Sequence, residues 1–579
     1  MTSNLCMKSC MVILSVLSIA FIVIISTGNV VGMDNVTRVV KHVRREFGPQ
    51  KKPNIIFILA DDLGWNDVSY HNSSCDIHTP NIDRLAKEGV RLENYYAQSV
   101  CTPSRASFMT GLYKSRHGLE NVLAAGEAGC LPNNLEIMPQ ILKRHGYTTH
   151  LVGKWHLGFS RRNCLPNQRG FDTFLGFHNG ALDYYRHTHG NPSQPKDPEV
   201  KHFVGLDFWE NEKVAEDYTG QYATHIFVKR AQEIIANHTQ NEEPFFLFLS
   251  LSAVHAPLLV PQNYIEQYEG KITDQKRKIY AGMTSCMDEG IKNLTDTLQR
   301  LDVWKDTVLV FSSDNGGEVN EGASNIPLLG HKAQFTEGGI RVVGFVNSPL
   351  LSKQVQGTNY TGLMGVADWL PTFVEGIAGG SKDPKLDGVN MWESIRYGTS
   401  SPRKEYLYEV GGNCDWNEDD EPLTMYGTIR VGDWKLHLGA GGINQRIWHT
   451  DKDHRMRLTD MEIDFNKMCS SEFNTLHNIR LDPYEKHNQY QKAHNIRATL
   501  LKKLKYHCRR KVPTVPKIER KEANPILREG VFSPWLDDWN YLEWHPTSAD
   551  KKYFKSRYCT WDSFCGCTGS FRRYRSRET

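Results

Sequence analysis

The 579-residue chain predicts an α/β fold: a large, mostly parallel central sheet flanked by helices, with a smaller C-terminal α+β domain containing an antiparallel sheet. Three observations carry this. Four apolar, β-rich runs, residues 54–60 (NIIFILA), 148–152 (TTHLV), 244–251 (PFFLFLSL) and 307–313 (TVLVFSS), are continuous rather than alternating, as strands buried on both faces are. Between them, residues 81–89, 134–145, 218–237 and 280–301 place apolar side chains at helical spacing, and strands alternating with helices build a doubly wound sheet. After about residue 400 the texture changes: residues 427–438 (GTIRVGDWKLHL) read as a hairpin turning at Gly432-Asp433, and a helical stretch follows over 488–507.

Taken in chain order, the first ten residues carry Lys8 and no acid, and Met11 to Ile25 is apolar apart from Ser15 and Ser18. That run is short for a bilayer span, about 20 residues, but fits a signal-peptide core; Ser26, Gly28 and Gly32 offer small residues for cleavage. Residues 1–32 are therefore read as a signal peptide, with a retained signal anchor as the alternative, 33–52 as a basic linker, 53–400 as the main α/β domain, 401–512 as the C-terminal α+β domain and 513–579 as a Cys-containing basic tail. Asn-x-Ser/Thr sites at Asn35, Asn72, Asn237, Asn293 and Asn359 agree with passage through the secretory lumen. Of 13 cysteines, Cys6 and Cys10 leave with the signal, and the eleven that remain are odd in number. Setting Cys101 aside leaves Cys75, Cys130, Cys164, Cys286, Cys414, Cys469, Cys508, Cys559, Cys565 and Cys567, up to five disulfides with connectivity open.

The formal charge of +3, from 69 Lys+Arg against 66 Asp+Glu, excludes the broad basic field of a nucleic-acid binder. It also hides a polarity. Residues 551–579 hold eight basic against two acidic side chains and residues 33–52 six against two, so the body between is mildly acidic.

Each of the four apolar runs is followed at once by residues able to do chemistry: Asp61-Asp62, Lys154-Trp155-His156, His255 and Asp314-Asn315. Ligands of open parallel sheets sit beyond the carboxyl ends of the strands, so these four turns are expected to share one crevice. Asp61, Asp62, Asp314 and Asn315 offer only hard oxygen ligands, which suit Ca²⁺ or Mg²⁺ rather than Zn²⁺. An aspartate after a strand serves equally well as a helix cap, but two such pairs in equivalent positions favour a metal.

Residues 101–105, Cys-Thr-Pro-Ser-Arg, resemble the core motif of the sulfatase family, Cys-x-Pro-Ser-Arg, and residues 146–156 (GYTTHLVGKWH) resemble its second signature. The resemblance runs from about residue 52 to 507. It includes the Asp pair, the Asp-Asn pair, a lysine loop over 329–341 (LGHKAQFTEGGIR) and an Asp-Pro-x-Glu segment at 482–485. One departure stands out: the family often has Leu-Thr-Gly-Arg where this chain has Met109-Thr110-Gly111-Leu112. The resemblance implies an alkaline-phosphatase-like fold and a catalytic domain over 53–400. It also implies one Ca²⁺ held by Asp61, Asp62, Asp314, Asn315 and residue 101, and oxidation of Cys101 to formylglycine by the formylglycine-generating enzyme. That fate removes the odd thiol.

The implied roles make physical sense. A hydroxyl of the hydrated aldehyde, next to a cation and a base, attacks sulfur and gives a sulfated hemiacetal. His255 protonates the leaving alcohol, and the second hydroxyl, assisted by His156, expels sulfate. Arg105 anchors the diol and its carboxylates, while Lys154 and Lys332 hold sulfate oxygens. His331 and Glu337 are rim candidates, and Trp155 packs beside the site. Within the family, residues 150–158, 337–346 and 429–438 are worded most like the branch of arylsulfatase B, an N-acetylgalactosamine 4-sulfatase, with arylsulfatases I and J. The expected substrate is a sulfated glycosaminoglycan or a small sulfate ester, and the destination lysosomal or secreted, with no nucleic acid and no stable membrane span. A Ser- or Thr-based phosphomonoesterase and a catalytically inactive binding protein are the competing readings. Cys101 opposes the first, and an unmodified thiol there would favour the second.

Overall fold

The computed structural model describes residues 52–71, 76–190, 203–239, 243–414, 425–439 and 473–536. The expected signal peptide (1–32), nearly all of the expected linker (33–52) and most of the expected tail (513–579) lie outside these. A ten-stranded sheet runs in the order Thr358–Tyr360, Val90–Leu92, Gly344–Asn347, Thr307–Ser313, Asn54–Ala60, Phe245–Ser250, Thr148–Lys154, Thr173–Phe177, Trp209–Glu210 and Lys213–Val214. The five strands from Thr307–Ser313 to Thr173–Phe177 are parallel, and antiparallel pairs flank them. The sheet is thus mostly parallel, as the apolar runs predict. The short flanking strands have no sequence signal of their own.

The Asn54–Ala60 strand shows why the run is continuous. Ile56, Ile58 and Ala60 join an apolar cluster with the helices Ala223–His238 and Gln275–Arg300, while Ile55, Phe57 and Leu59 join a second one on the opposite face, with Phe108, Trp369 and Phe373. Successive side chains of a strand point to opposite faces, so burial on both requires every position to be apolar. Helix ends differ from the sequence expectation for local reasons. The helix expected from Tyr280 begins at Gln275, because the Asp274 carboxylate caps it by accepting the Arg277 N–H. The helix expected from Tyr218 begins at Ala223, because Glu216–Tyr218 forms a separate 3₁₀ turn. The helix Cys101–Thr110 has no amphipathic spacing to betray it, since all ten residues are buried.

Glu405–Gly412, Met425–Val431, Trp434–Leu438 and Thr475–Asn478 form a four-stranded antiparallel sheet, turning at Gly432-Asp433 as expected. The helix His494–Cys508 covers it through Leu500 and Leu504. The same cluster takes in Tyr96, Tyr113, Phe335 and Ile340 from the main body, so the two sheets share apolar contacts.

Disulfides join Cys130 to Cys164 and Cys414 to Cys508. Cys286, counted above among the paired cysteines, is instead a buried free thiol with its Sγ 3.4 Å from His225 Nε2. Cys75, Cys469, Cys559, Cys565 and Cys567 lie outside the described residues. So do Asn35 and Asn72, whereas Asn237, Asn293 and Asn359 are all exposed. Among the described residues no helix is long and apolar enough to cross a membrane.

Candidate active site

Because Thr307–Ser313, Asn54–Ala60, Phe245–Ser250 and Thr148–Lys154 are neighbours in the sheet, the turns that leave their carboxyl ends meet. Backbone approach there is close: a Cβ on Gly153, whose φ is +107°, would lie 1.9 Å from the Ser250 carbonyl oxygen, so only glycine fits before Lys154. Asp62 also turns sharply, with φ +59°. Ligand atoms of Asp61, Asp62, Cys101 and His255 all lie within 4.8 Å of one another. Cys101 opens the helix Cys101–Thr110, with its Sγ 3.6 Å from Asp61 Oδ1, so an anion at residue 101 faces the positive end of that helix.

The fully buried Arg105, one turn along, orders the carboxylates. Its Nε and Nη2 donate to Asp314 Oδ2 at 3.1 and 2.9 Å, Nη1 donates to Ser250 Oγ at 2.6 Å, and Nη2 lies 3.6 Å from Asp61 Oδ2. Lys154 Nζ donates to Asp61 Oδ2 at 2.5 Å, and Lys332 Nζ to Asp62 Oδ2 at 2.6 Å. Asn315 Nδ2 donates to Asp62 Oδ1 at 2.7 Å, while its Oδ1 is buried with no hydrogen-bond partner. A buried amide oxygen left unsatisfied beside three carboxylates fits a hard cation. Three lysine or arginine cations face three carboxylates here, so a divalent ion leaves the pocket net positive toward an anionic ester.

Burial pushes the Cys101 thiol up to about 12, with Lys154 and Lys332 opposing it. Burial, then the charge of Asp61, raises Asp314 to about 6 against Arg105. Asp62 is held below the usual carboxylate range: burial would raise it, but Lys332 and His255 outweigh that. Burial lowers His255 to about 3 although Asp62 Oδ2 lies 3.6 Å from its Nε2, and its Nδ1 is 2.6 Å from the Ala256 carbonyl. Burial, then Lys154 and Arg105, keeps His156 neutral. Its Nε2 is 3.1 Å from the Leu123 carbonyl, which makes Nε2 the protonated nitrogen and leaves the buried, unpartnered Nδ1 as a proton acceptor.

The ten residues read as metal ligands or catalytic groups, Asp61, Asp62, Cys101, Arg105, Lys154, His156, His255, Asp314, Asn315 and Lys332, stand in or directly around this crevice. The rim expectation for Glu337 does not hold: it is fully buried and turned to Lys435 and Tyr96, while His331 is buried as well. Trp155 packs beside the site, its indole N–H donating to the Gly158 carbonyl. Leu112, the departure from the family pattern, is buried, and two residues on Lys114 supplies a cation paired with Glu409 over the Phe335 ring. Sequence reasoning missed Ser250, although its place at the end of an apolar strand was the signal used for its neighbours. It also missed Asp67, which accepts N–H groups of Gly64 and Ser324 and the Tyr280 hydroxyl, and so fixes the turn after Asp62.

A parallel sheet with carboxylates, an amide, lysines and a helix-borne Cys101 at its carboxyl edge defines an alkaline-phosphatase-like hydrolase of the sulfatase type. Solved structures share the architecture: that of Ps i-CgsB is 28% identical with a TM-score of 0.66, covering 83% of this chain and 98% of its own. The sulfatase family model matches residues 53–377. Arylsulfatase J of Mus musculus is 39% identical over 518 residues, 84% of this chain and 81% of its own length. N-acetylgalactosamine-6-sulfatase of Mus musculus is 32% identical over 409 residues, 68% and 73% respectively. The chain belongs to the sulfatase family, whose members hydrolyse sulfate esters.

Proposed function

We propose that this sulfatase removes the 4-sulfate of N-acetylgalactosamine units in dermatan or chondroitin sulfate, using residue 101 as formylglycine and one Ca²⁺. The observation that carries the catalytic part is the meeting of Cys101 with Asp61, Asp62, Asp314 and Asn315 at the head of a helix. Those four side chains, with residue 101, would hold the ion, which supplies positive charge to the nucleophile and to the sulfate oxygens. The Cys-Thr-Pro-Ser-Arg run at 101–105 supports a modified residue at its first position.

The chain's own groups supply the rest. Lys154 and Lys332 neutralise sulfate oxygens, and Arg105 holds Asp314 and Asp61 in place. His156 accepts a proton at Nδ1. His255 delivers one from Nε2 to the leaving oxygen, its proton affinity raised by the incoming anion. Residues 1–32 would direct the chain to the lumen, where the formylglycine-generating enzyme acts, and thence to the lysosome or outside the cell.

The sugar assignment is supported by the wording of residues 337–346 and 429–438 and by the N-acetylgalactosamine-6-sulfatase relative. A complex of Ps i-CgsB with k-i-k-neocarrahexaose, at 28% identity and a TM-score of 0.65, favours an oligosaccharide over a small ester. Sulfate release from 4-sulfated and 6-sulfated N-acetylgalactosamine oligosaccharides and from a small aryl sulfate tests this. Preference for the 4-sulfate is expected; turnover of the aryl ester alone overturns the glycosaminoglycan assignment.

A further inference from the structure

The lysine loop is anchored both within the main body and from the C-terminal region. Lys332 N donates to the Gly317 carbonyl at 3.2 Å and Ala333 N to the Ser99 carbonyl at 2.7 Å, which ties the loop to the Asp314-Asn315 turn and to the segment leading into Cys101. Its base closes where Gly338 N donates to the Leu329 carbonyl at 2.7 Å, and Gly316 N donates to the Gly339 carbonyl at 3.0 Å. A Cβ on Gly316 would lie 1.9 Å from the Gly338 carbonyl oxygen, so the two turns are in contact with no slack between them.

That base is gripped by the C-terminal sheet. Glu337 N donates to Glu485 Oε2 at 2.7 Å, Lys435 Nζ bridges Glu337 Oε1 at 2.9 Å and Glu485 Oε1 at 3.0 Å, and the Tyr96 hydroxyl donates to Glu337 Oε2 at 2.8 Å. Glu337 is fully buried, Lys435 1% exposed and Glu485 5%. Two buried carboxylates share the Lys435 ammonium, and Arg341 Nη1 lies 3.8 Å from Glu337 Oε2, so moving either carboxylate weakens charge pairing in a low dielectric. Among the described residues Lys332 Nζ pairs with Asp62 rather than with these three, yet they hold the base of the loop that carries it.

We propose that Lys435 and Glu485 are positioning residues for Lys332: the C-terminal sheet sets the sulfate-binding lysine through the Glu337 clamp. The proposal rests on the reading of Lys332 as a sulfate ligand.

The test uses the full chain carrying Lys435→Met, Lys435→Arg or Glu485→Gln. It measures affinity for inorganic sulfate by calorimetry on metal-loaded protein, and KM and kcat on an aryl sulfate. Lys435→Met is expected to weaken sulfate binding about tenfold and raise KM in step at unchanged metal content, while Lys435→Arg restores most of it. Adding Lys332→Ala to Lys435→Met is expected to cost little beyond Lys332→Ala alone, the non-additivity of groups acting as one. Sulfate affinity within about twofold of wild type, whatever happens to the melting temperature, or strictly multiplying effects, overturns the clamp. If Lys435→Met does not fold, Glu485→Gln, which keeps an acceptor for the Glu337 N–H, is read against the same outcomes. A wild-type chain that binds sulfate through Lys332 but hydrolyses no sulfate ester overturns the proposed function and leaves the clamp to be decided by the binding measurement.

Discussion

Cys101 is legible in the sequence through the Cys-Thr-Pro-Ser-Arg pattern of its neighbours. It is buried, pushed up to about 12, and 3.6 Å from an aspartate oxygen. Intact-peptide mass spectrometry across residue 101 is expected to find a species about 18 Da lighter than cysteine. Thiol alone would sink the enzymatic reading. Lys332→Ala is expected to lower kcat/KM on an aryl sulfate by about 10²-fold or more, as removal of a preorganised charge does, while the fold survives because the side chain is partly exposed, at 14%. Circular dichroism alongside the kinetics separates the two effects.

Among the elements, the helix Pro80–Glu88 is held by a residue that local sequence could not reveal. Asp288, from the helix Gln275–Arg300, accepts the Ile82 N–H at 2.7 Å and the Asn81 Nδ2–H at 2.7 Å, capping a start whose first residue is proline. Burial raises its carboxyl to about 6, although these bonds oppose the rise. The folded value lies above the unfolded one, so the folded state holds a proton that the unfolded chain has released. This stabilisation is fully present below about pH 4 and is lost as pH rises through 6. Asp288→Asn removes the linkage. The stability gap between wild type and Asp288→Asn is therefore expected to shift in favour of wild type as pH falls from 7 to 4.5, by up to about 2 kcal/mol. Chemical denaturation at the two pH values reads it, and a gap independent of pH refutes it.

At the scale of the molecule, the carboxylate-amide cluster and the C-terminal staple each predict a stability change. Chelation is expected to lower the melting temperature and abolish turnover, with Ca²⁺ at 100 times its Kd returning about 2.7 kcal/mol. No change on chelation would remove the metal from the site. Replacing Cys414 and Cys508 together by serine opens a 94-residue loop and is expected to cost about 2–5 kcal/mol, seen as a lower denaturation midpoint. Because that disulfide fastens the helix His494–Cys508 to the sheet that holds Lys435, sulfate affinity is expected to fall with it.

By itself the sequence determined the parallel core and which candidate residues follow its strands. Continuous apolar runs leave no face for water, so Asn54–Ala60 and Thr307–Ser313 were readable to the residue, and the motifs around Cys101 and Lys154 named the site. Helix Cys101–Thr110, the flanking antiparallel strands and the partners Ser250, Asp67 and Glu485 were not readable, because each is defined by contacts with distant chain. Only the tertiary structure decided which strands are neighbours, that Glu337 faces inward rather than out, and that Cys286 stays a thiol. The physical reason is that periodicity and motif spacing report local burial and chemistry, whereas pairing of buried charges and thiols depends on which distant segments the fold brings within a few ångströms.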